Sequence, residues 1–113
     1  MTKRIEAIVR HEKLPKLIDS LWNIGVRGIT TSEVHGHGRN RGQSETHRGA
    51  EYAIDLVPRV LILTFVPDEL VALTVETIAK TCHTGKIADG IISVSEIVQL
   101  IGIRIGELGD LNL

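Results

Sequence analysis

A chain of 113 residues, of which 42% are hydrophobic and 24% charged, has the composition of one globular domain and not of a disordered segment. Its net charge of −1 argues against a protein whose whole surface binds nucleic acid, and a lone cysteine, Cys82, excludes an internal disulfide framework and suits a reducing compartment. Since no run is apolar enough for a signal peptide or a membrane span, we expect a cytoplasmic protein without direct membrane insertion.

The first third of the chain alternates between strand and helix patterns. Residues 4–10 alternate apolar and charged side chains, which predicts a half-buried strand. Residues 12–23 carry leucine and isoleucine at three- and four-residue spacing, which predicts an amphipathic helix that ends at Gly25. Residues 28–34 are rich in β-branched side chains and predict a second strand.

The remainder repeats this order after a polar loop. Residues 58–66 are nearly all apolar and predict a central strand that is covered on at least one face. Residues 68–82 predict a helix with Asp68 as its N-cap and Cys82 on its packed face. Short strands are predicted at 91–94 and 98–105, followed by a mobile tail from Gly106.

The predicted order of elements is typical of one architecture. Strand, helix, strand, strand, helix, strand is the βαββαβ ferredoxin-like pattern, an α+β domain with a four-stranded antiparallel sheet and two helices on one face. The other face of the sheet then needs a cover, and the isoleucines of the C-terminal segment are too apolar for solvent. We therefore expect self-association through the open sheet face or a sheet edge.

Two glycine-containing polar segments are candidates for binding an anion. Residues 36–42 combine glycines with Arg39, so backbone N–H groups and a guanidinium could contact phosphate or carboxylate together. Residues 84–90 add Lys86 and two further glycines. The two segments would form two walls of one phosphate site if the fold brings them together, although a solvated loop explains the first segment equally well.

Other chemistries find less support in the residues. His35 and His37 alternate with glycine and could begin a metal site, but no third ligand at a typical spacing is visible. Arg39, Arg41 and Arg48 could contact RNA, but the near-neutral charge and the scarcity of aromatic residues argue against it. No nucleophile and base are placed together, so an enzyme is not expected.

Separated motifs in this chain resemble the PII nitrogen-regulatory signal-transduction family over nearly its whole length. They are SEVHGHGRNRG at 32–42, RGAEY at 48–52, TGKIADG at 84–90 and RIGE at 104–107. The resemblance implies a single domain over residues 1–113 that forms a homotrimer and binds ATP or ADP in the clefts between subunits. It also implies a T-loop at about 37–57, a B-loop at about 83–90 and a C-terminal strand and tail at 97–113.

The resemblance further implies how such a protein acts. It would be a non-enzymatic regulator whose T-loop docks on an enzyme, a membrane transporter or another regulator and changes shape with the bound ligand. In many members of the family the T-loop tyrosine, here Tyr52, accepts a nucleotidyl group.

Site residues are carried over position by position. Asn40 and Arg59 stand at positions that contact the effector 2-oxoglutarate in the family, and Mg²⁺ accompanies the nucleotide there. The implied nucleotide-binding residues are Thr30, Gly36, His37, Gly38, Arg39, Phe65, Gly85, Lys86, Ile87, Ala88, Asp89, Gly90 and Arg104.

Several positions depart from the family pattern. Ile91 and Gly102 replace a lysine and an arginine that contact phosphate, and apolar Leu61 and Leu63 replace charged residues. Charged hydrogen bonds contribute about 1.5–3 kcal/mol each, so two losses would weaken ATP binding by roughly a hundredfold or more. We therefore do not expect ATP sensing of the ordinary kind. The expected ligand is an adenine nucleotide, ADP, AMP or ATP, and a less charged one (ADP, AMP or a cyclic form) or another small anion is an open alternative.

The effector positions differ as well. Asn40 replaces a glutamine and Arg59 a lysine, so ordinary 2-oxoglutarate sensing is not expected. The competing hypothesis is a trimer of the same fold that has lost ATP and 2-oxoglutarate binding and responds to another small anion, or to a metal through His35 and His37.

Overall fold

The computed structural model describes residues 1–36 and 57–113. Within them the predicted order of strand, helix, strand, strand, helix, strand is confirmed, but the further strand predicted at 98–105 is absent. The predicted T-loop lies outside the described residues except for Val57, which begins a strand. The elements are β1 (Thr2–Val9), α1 (Leu14–Asn23), β2 (Thr30–Gly36), β3 (Val57–Pro67), α2 (Asp68–Cys82) and β4 (Gly90–Glu96), with short 3₁₀ turns at His11–Lys13 and Gly109–Asn112.

The four strands form one antiparallel sheet in the order β2-β3-β1-β4. The central strand β1 pairs with β3 on one side and β4 on the other, so that Ile5 lies opposite both Thr64 and Val94. This is the predicted ferredoxin-like α+β fold.

The core lies between the two helices and one face of the sheet. On β1 the predicted alternation is confirmed, since Ile5, Ala7 and Val9 are buried. On β3 every second residue is buried from Val60 to Val66. The apolar residues between them lie on the opposite face of this central strand, which accounts for the nearly continuous apolar run. Leu17 and Leu21 of α1 and Ile78 of α2 complete the core.

Cys82 has the packing role that its pattern predicts. Its side chain is buried at the end of α2, in the core cluster. Burial raises the pKa of the thiol, which disfavours the reactive thiolate.

The C-terminal segment differs from the prediction. Residues 98–105 do not form a strand, and only Ile101 pairs, in an isolated bridge with Leu108. The Gly102 amide donates to the Glu107 carbonyl at 2.8 Å, and the Gly106 amide donates to the Gly102 carbonyl at 2.9 Å. Gly106, at φ +75°, provides the reversal, so the segment folds back on itself instead of extending along the sheet.

In the tail after Gly106 the Asn112 amide group donates to the Glu107 and Gly109 carbonyls at 3.0 and 3.1 Å. One further prediction from the pattern is wrong. Asp68 is the first residue of α2 and not its N-cap, and its carboxylate pairs with Lys3 across the start of β1.

The second face of the sheet has no helix over it in the described part of the chain. The register places the alternate residues of each strand there, in line with one another. This open face carries Arg4, Glu6, Ile8, Arg59, Leu61, Leu63, Phe65 and Ile91.

Candidate functional site

The B-loop connects α2 to β4, and a single carboxylate organises it. Asp89 accepts hydrogen bonds from the Thr84 amide at 2.7 Å, from the Gly85 amide at 2.9 Å and from the Thr84 hydroxyl. The Thr84 hydroxyl oxygen in turn accepts from the Lys86 amide at 3.1 Å. These donors, with the Thr84 hydroxyl first, hold the pKa of Asp89 well below its ordinary value.

This arrangement divides the loop into two halves with different roles. The Gly85 amide already donates to Asp89, so its role is structural. Its φ of +85° lies in the left-handed region that favours glycine. The Lys86 and Ile87 side chains are exposed and free to meet a ligand. Lys86 is therefore the cation that this loop offers to solvent.

The backbone is unusual at two residues that follow Ile87, namely Ala88 and Gly90. Ala88 has φ 70°, a left-handed conformation that costs a non-glycine residue roughly 1–2 kcal/mol. Gly90 has φ +130°, and a Cβ at this position would lie 2.0 Å from the Ile8 carbonyl oxygen. Gly90 is thus required where β4 begins beside β1.

Arg10, which the sequence did not single out, ties the B-loop to the end of β1. Its Nε donates to Asp89 Oδ1 at 3.2 Å, and its Nη2 donates to the Ile87 carbonyl at 2.9 Å. The alternation of residues 4–10 indicated only that Arg10 faces away from the core, and nothing in the pattern points to a partner in the distant B-loop. Its partner becomes visible only in the folded chain.

Arg59, the predicted effector residue, approaches the same loop from β3. Its Nη2 donates to the Ala88 carbonyl at 3.3 Å, and its Nη1 donates to the Pro58 carbonyl at 2.8 Å. Partial burial, and then the neighbouring Arg10, lower the pKa of Arg59. Two guanidinium groups therefore converge on the B-loop.

The end of β2 lies beside this cluster. Gly36 pairs with Val57, and Val34 pairs with Arg59, so the glycine-containing entrance to the polar loop starts next to the Arg59 position. The predicted site residues His37, Gly38, Arg39 and Asn40, and also Tyr52, lie outside the described residues. We call the B-loop together with Gly36, Arg10 and Arg59 the B-loop cluster.

Thr30 and Phe65 lie at the other end of the β2–β3 pair. They line a cavity of about 630 Å³ together with residues of the C-terminal turn, among them Gly102 and Ile103. The space beside Gly102 is occupied, because a Cβ there would lie 2.3 Å from Asn112 Oδ1 and 2.6 Å from Glu107 Oε1. Arg104 follows on the exposed turn. We call Thr30 and Phe65, which line this cavity, together with Arg104, the residue that follows Ile103 in the chain, the cavity cluster.

The predicted residues that the structure describes therefore fall into two groups. Six residues of extended strand separate Arg59 from Phe65 on β3, a distance of about 20 Å at roughly 3.3 Å per residue. The prediction that the glycine entrance and the B-loop lie together is supported at Gly36. Thr30, Phe65 and Arg104 are not brought to that point within one chain.

The metal hypothesis finds no further support in the described residues. Over 1–36 and 57–113 there is no group of three or more His, Cys, Asp or Glu side chains that could hold a metal ion, and His37 lies outside these ranges. Neither α1 nor α2 is long and apolar enough to cross a membrane.

The chain is similar to known proteins over nearly its whole length. The family model "Nitrogen regulatory protein P-II" matches residues 2–107. The chain is 44% identical over 108 residues to nitrogen regulatory protein P-II 1 of Escherichia coli K12, with 96% of each chain covered. It is 47% identical over 105 residues to nitrogen regulatory protein P-II of Haemophilus influenzae, a match that covers 93% of this chain and 94% of the relative. It is 42% identical over 107 residues to nitrogen regulatory protein P-II of Azospirillum brasilense, a match that covers 95% of this chain and 96% of the relative. The chain therefore belongs to the nitrogen regulatory protein P-II family, a family of signalling regulators.

Proposed function

We propose that this protein is a non-enzymatic, homotrimeric regulator that binds an adenine nucleotide between subunits. ADP or AMP is the favoured ligand, and the loop at residues 37–56 acts on a target enzyme or transporter in nitrogen, carbon or energy sensing. The observation that carries the proposal is the separation of the B-loop cluster from the cavity cluster. A nucleotide that touches both sets of residues would have to lie between two chains.

Each cluster suits a different part of a nucleotide. The cavity beside this cluster has apolar walls that include Leu63, Phe65 and Ile103, and the polar side chain of Thr30 also lines it. A planar base fits such a surface, because apolar area provides affinity and a few polar groups provide orientation. The B-loop cluster offers Lys86, Arg10 and Arg59 for phosphate.

The preference for a less charged nucleotide rests on two positions. Ile91 is 67% exposed at the start of β4 and carries no charge. Gly102 has no side chain, and the space beside it holds the carboxylate of Glu107, which would repel phosphate. The γ-phosphate of ATP would therefore add little affinity at this site, so we expect ATP to bind no more tightly than ADP or AMP.

Trimer formation is supported by the apolar surface of the single chain. Ile103 and Val98 are fully exposed, and Ile105 is exposed to 63%. Three exposed apolar side chains within one short segment favour an interface that a further copy covers. The open sheet face adds the apolar side chains of Leu61, Leu63 and Phe65.

Isothermal titration with ATP, ADP and AMP tests the nucleotide proposal. We expect ADP or AMP to bind, with ATP no tighter than ADP. Lys86→Glu should weaken binding about tenfold or more, because one charged hydrogen bond is lost and a repulsion is added. Lys16→Glu, a matched charge reversal on the exposed side of α1, should leave the affinity unchanged. Absence of binding for all three nucleotides would reject the proposal.

A further inference from the structure

Arg59 occupies a distinctive place between two loops. On β3 its backbone pairs with Val34, and the next two register pairs, His35–Pro58 and Gly36–Val57, are the last of the β2–β3 ladder. Its side chain points away from the core, on the open face of the sheet. The residue is therefore part of the strand end and also within reach of the B-loop.

The guanidinium of Arg59 joins these two regions. Its Nη1 donates to the Pro58 carbonyl at 2.8 Å, within the strand end, and its Nη2 donates to the Ala88 carbonyl at 3.3 Å, within the B-loop. One planar group thus holds a carbonyl of each region in a fixed relation. A lysine has no second forked nitrogen with which to do this.

The B-loop residue that Arg59 contacts has a strained backbone. Ala88 is left-handed at φ 70°, where a residue with a Cβ is strained. Rotation of its peptide groups toward the right-handed region would relieve that strain and redirect the carbonyl away from Arg59. On the other side of the loop, Arg10 fixes the Ile87 carbonyl and Asp89, so movement would concentrate at Ala88.

We propose that Arg59 is a positioning residue that couples the conformation of the B-loop to the final β2–β3 pairs, through its hydrogen bond to the Ala88 carbonyl. The coupling deepens the proposed function, since it would carry a ligand's effect on the B-loop to the strand ends that flank residues 37–56. It exists in the protein without ligand, and can be tested there.

The test measures amide hydrogen exchange by NMR in the full-length, nucleotide-free protein. Thr84→Val loosens the B-loop, because it removes the hydroxyl that donates to Asp89 and accepts from the Lys86 amide. We expect the amides of residues 34–36, 57 and 59 to exchange faster by at least about twofold, the lower end of the coupling between contacting residues. In the Arg59→Met background, Thr84→Val should cause no further change at these amides.

A matched background shows that the effect belongs to Arg59. Arg27 also donates to two main-chain carbonyls, those of Trp22 and Val26, but far from the B-loop. In Arg27→Met the response to Thr84→Val should persist in full. Amides of the central pairs around Ile5 and Thr64 report whether each variant remains folded, and all samples are kept at one protein concentration.

A second variant covers the case in which Arg59→Met does not fold. Arg59→Lys keeps the positive charge but not the fork, so it should reduce the response without abolishing folding. A full response in Arg59→Lys, or in Arg59→Met, overturns the proposal, as does the absence of any response in the wild type. Because no nucleotide is present, a failure here leaves the nucleotide proposal standing, and a failure of nucleotide binding leaves this result unaffected.

Discussion

At the scale of single residues, the close approach of β4 to β1 constrains the backbone at the end of the B-loop. Gly90 begins β4 where it lies against β1, and its position opposite Val9 leaves no room for a side chain. The sequence motif TGKIADG indicated a loop that could contact phosphate, but it did not indicate this packing constraint. The constraint depends on the Ile8 carbonyl, more than eighty residues earlier in the chain.

Gly90→Ala should therefore destabilise the fold. A Cβ 2.0 Å from the Ile8 carbonyl oxygen, on a backbone at φ +130°, should lower the free energy of unfolding by more than about 2 kcal/mol. Chemical denaturation at a fixed protein concentration measures the change. Gly36→Ala is the control, because its Cβ would meet nothing within 4 Å, and we expect a change below about 1 kcal/mol. Equal losses for the two variants would contradict the packing argument.

At the scale of elements, the B-loop is held by one ionised carboxylate. Asp89 gathers the Thr84 hydroxyl, two amides and the Arg10 guanidinium, which together lower its pKa. A carboxylate whose folded pKa lies below its unfolded value contributes stability above the unfolded pKa, near 3.8, and loses that contribution as the pH falls below it. The loop is thus more firmly held at neutral pH than in acid.

Asp89→Asn should remove this pH dependence. At pH 7 we expect the variant to be less stable than the wild type. The difference should shrink as the pH falls from 5 to 2, because Asp89 of the unfolded chain is protonated near its ordinary pKa and folding must then release that proton. Thermal unfolding across this pH range measures it. Asp19→Asn, on the exposed side of α1, is the control and should show no such convergence. A difference that stays constant down to pH 2 would argue against the charged form as the source.

Local periodicity of apolar residues explains which elements could be predicted from the sequence. β1, α1, β3 and α2 were predictable because their apolar residues repeat at the spacing of a strand or a helix, as with Ile5, Ala7 and Val9. The segment at 98–105 has the same β-branched richness but no strand beside it in the single chain, so it turns back at Gly106. Periodicity alone does not reveal whether a neighbour exists.

The site was predictable only in part, for the same reason. Glycines, Lys86 and Asp89 stand out as a motif, and the resemblance assigns them to a nucleotide. Arg10 does not stand out, because a charged residue on the outer side of a strand is ordinary until the distant carboxylate of Asp89 is placed beside it. Contacts between distant residues require the fold.

At the scale of the whole molecule, the proposed assembly depends on the open sheet face. Leu61 and Leu63 lie on it, in a row with Phe65, where charged residues would suit solvent better. If subunits cover this face, a charge placed in it must be buried without a partner, which is costly.

Leu61→Asp should consequently shift the trimer toward monomer. Light scattering over a range of protein concentrations should show the molar mass falling toward that of one chain, whereas Leu73→Asp, an exposed leucine of α2, should leave the wild-type mass unchanged. A Leu61→Asp protein with the full wild-type mass at micromolar concentration would show that this face is not the interface.

The central claim, that each nucleotide is held by two subunits, has a direct test in mixed trimers. Lys86→Glu alters the B-loop cluster and Arg104→Glu alters the cavity cluster, and both side chains are exposed. Each variant alone has every cleft damaged. In a trimer of both kinds of subunit, one cleft receives an intact B-loop cluster from one chain and an intact cavity cluster from its neighbour.

The measurement is ADP titration of the two single variants and of a co-expressed mixture purified with two different tags. We expect binding about tenfold weaker or more in either variant alone, and wild-type affinity at one cleft of each mixed trimer. Equally weak binding in the mixture and in the single variants would contradict a site shared between subunits.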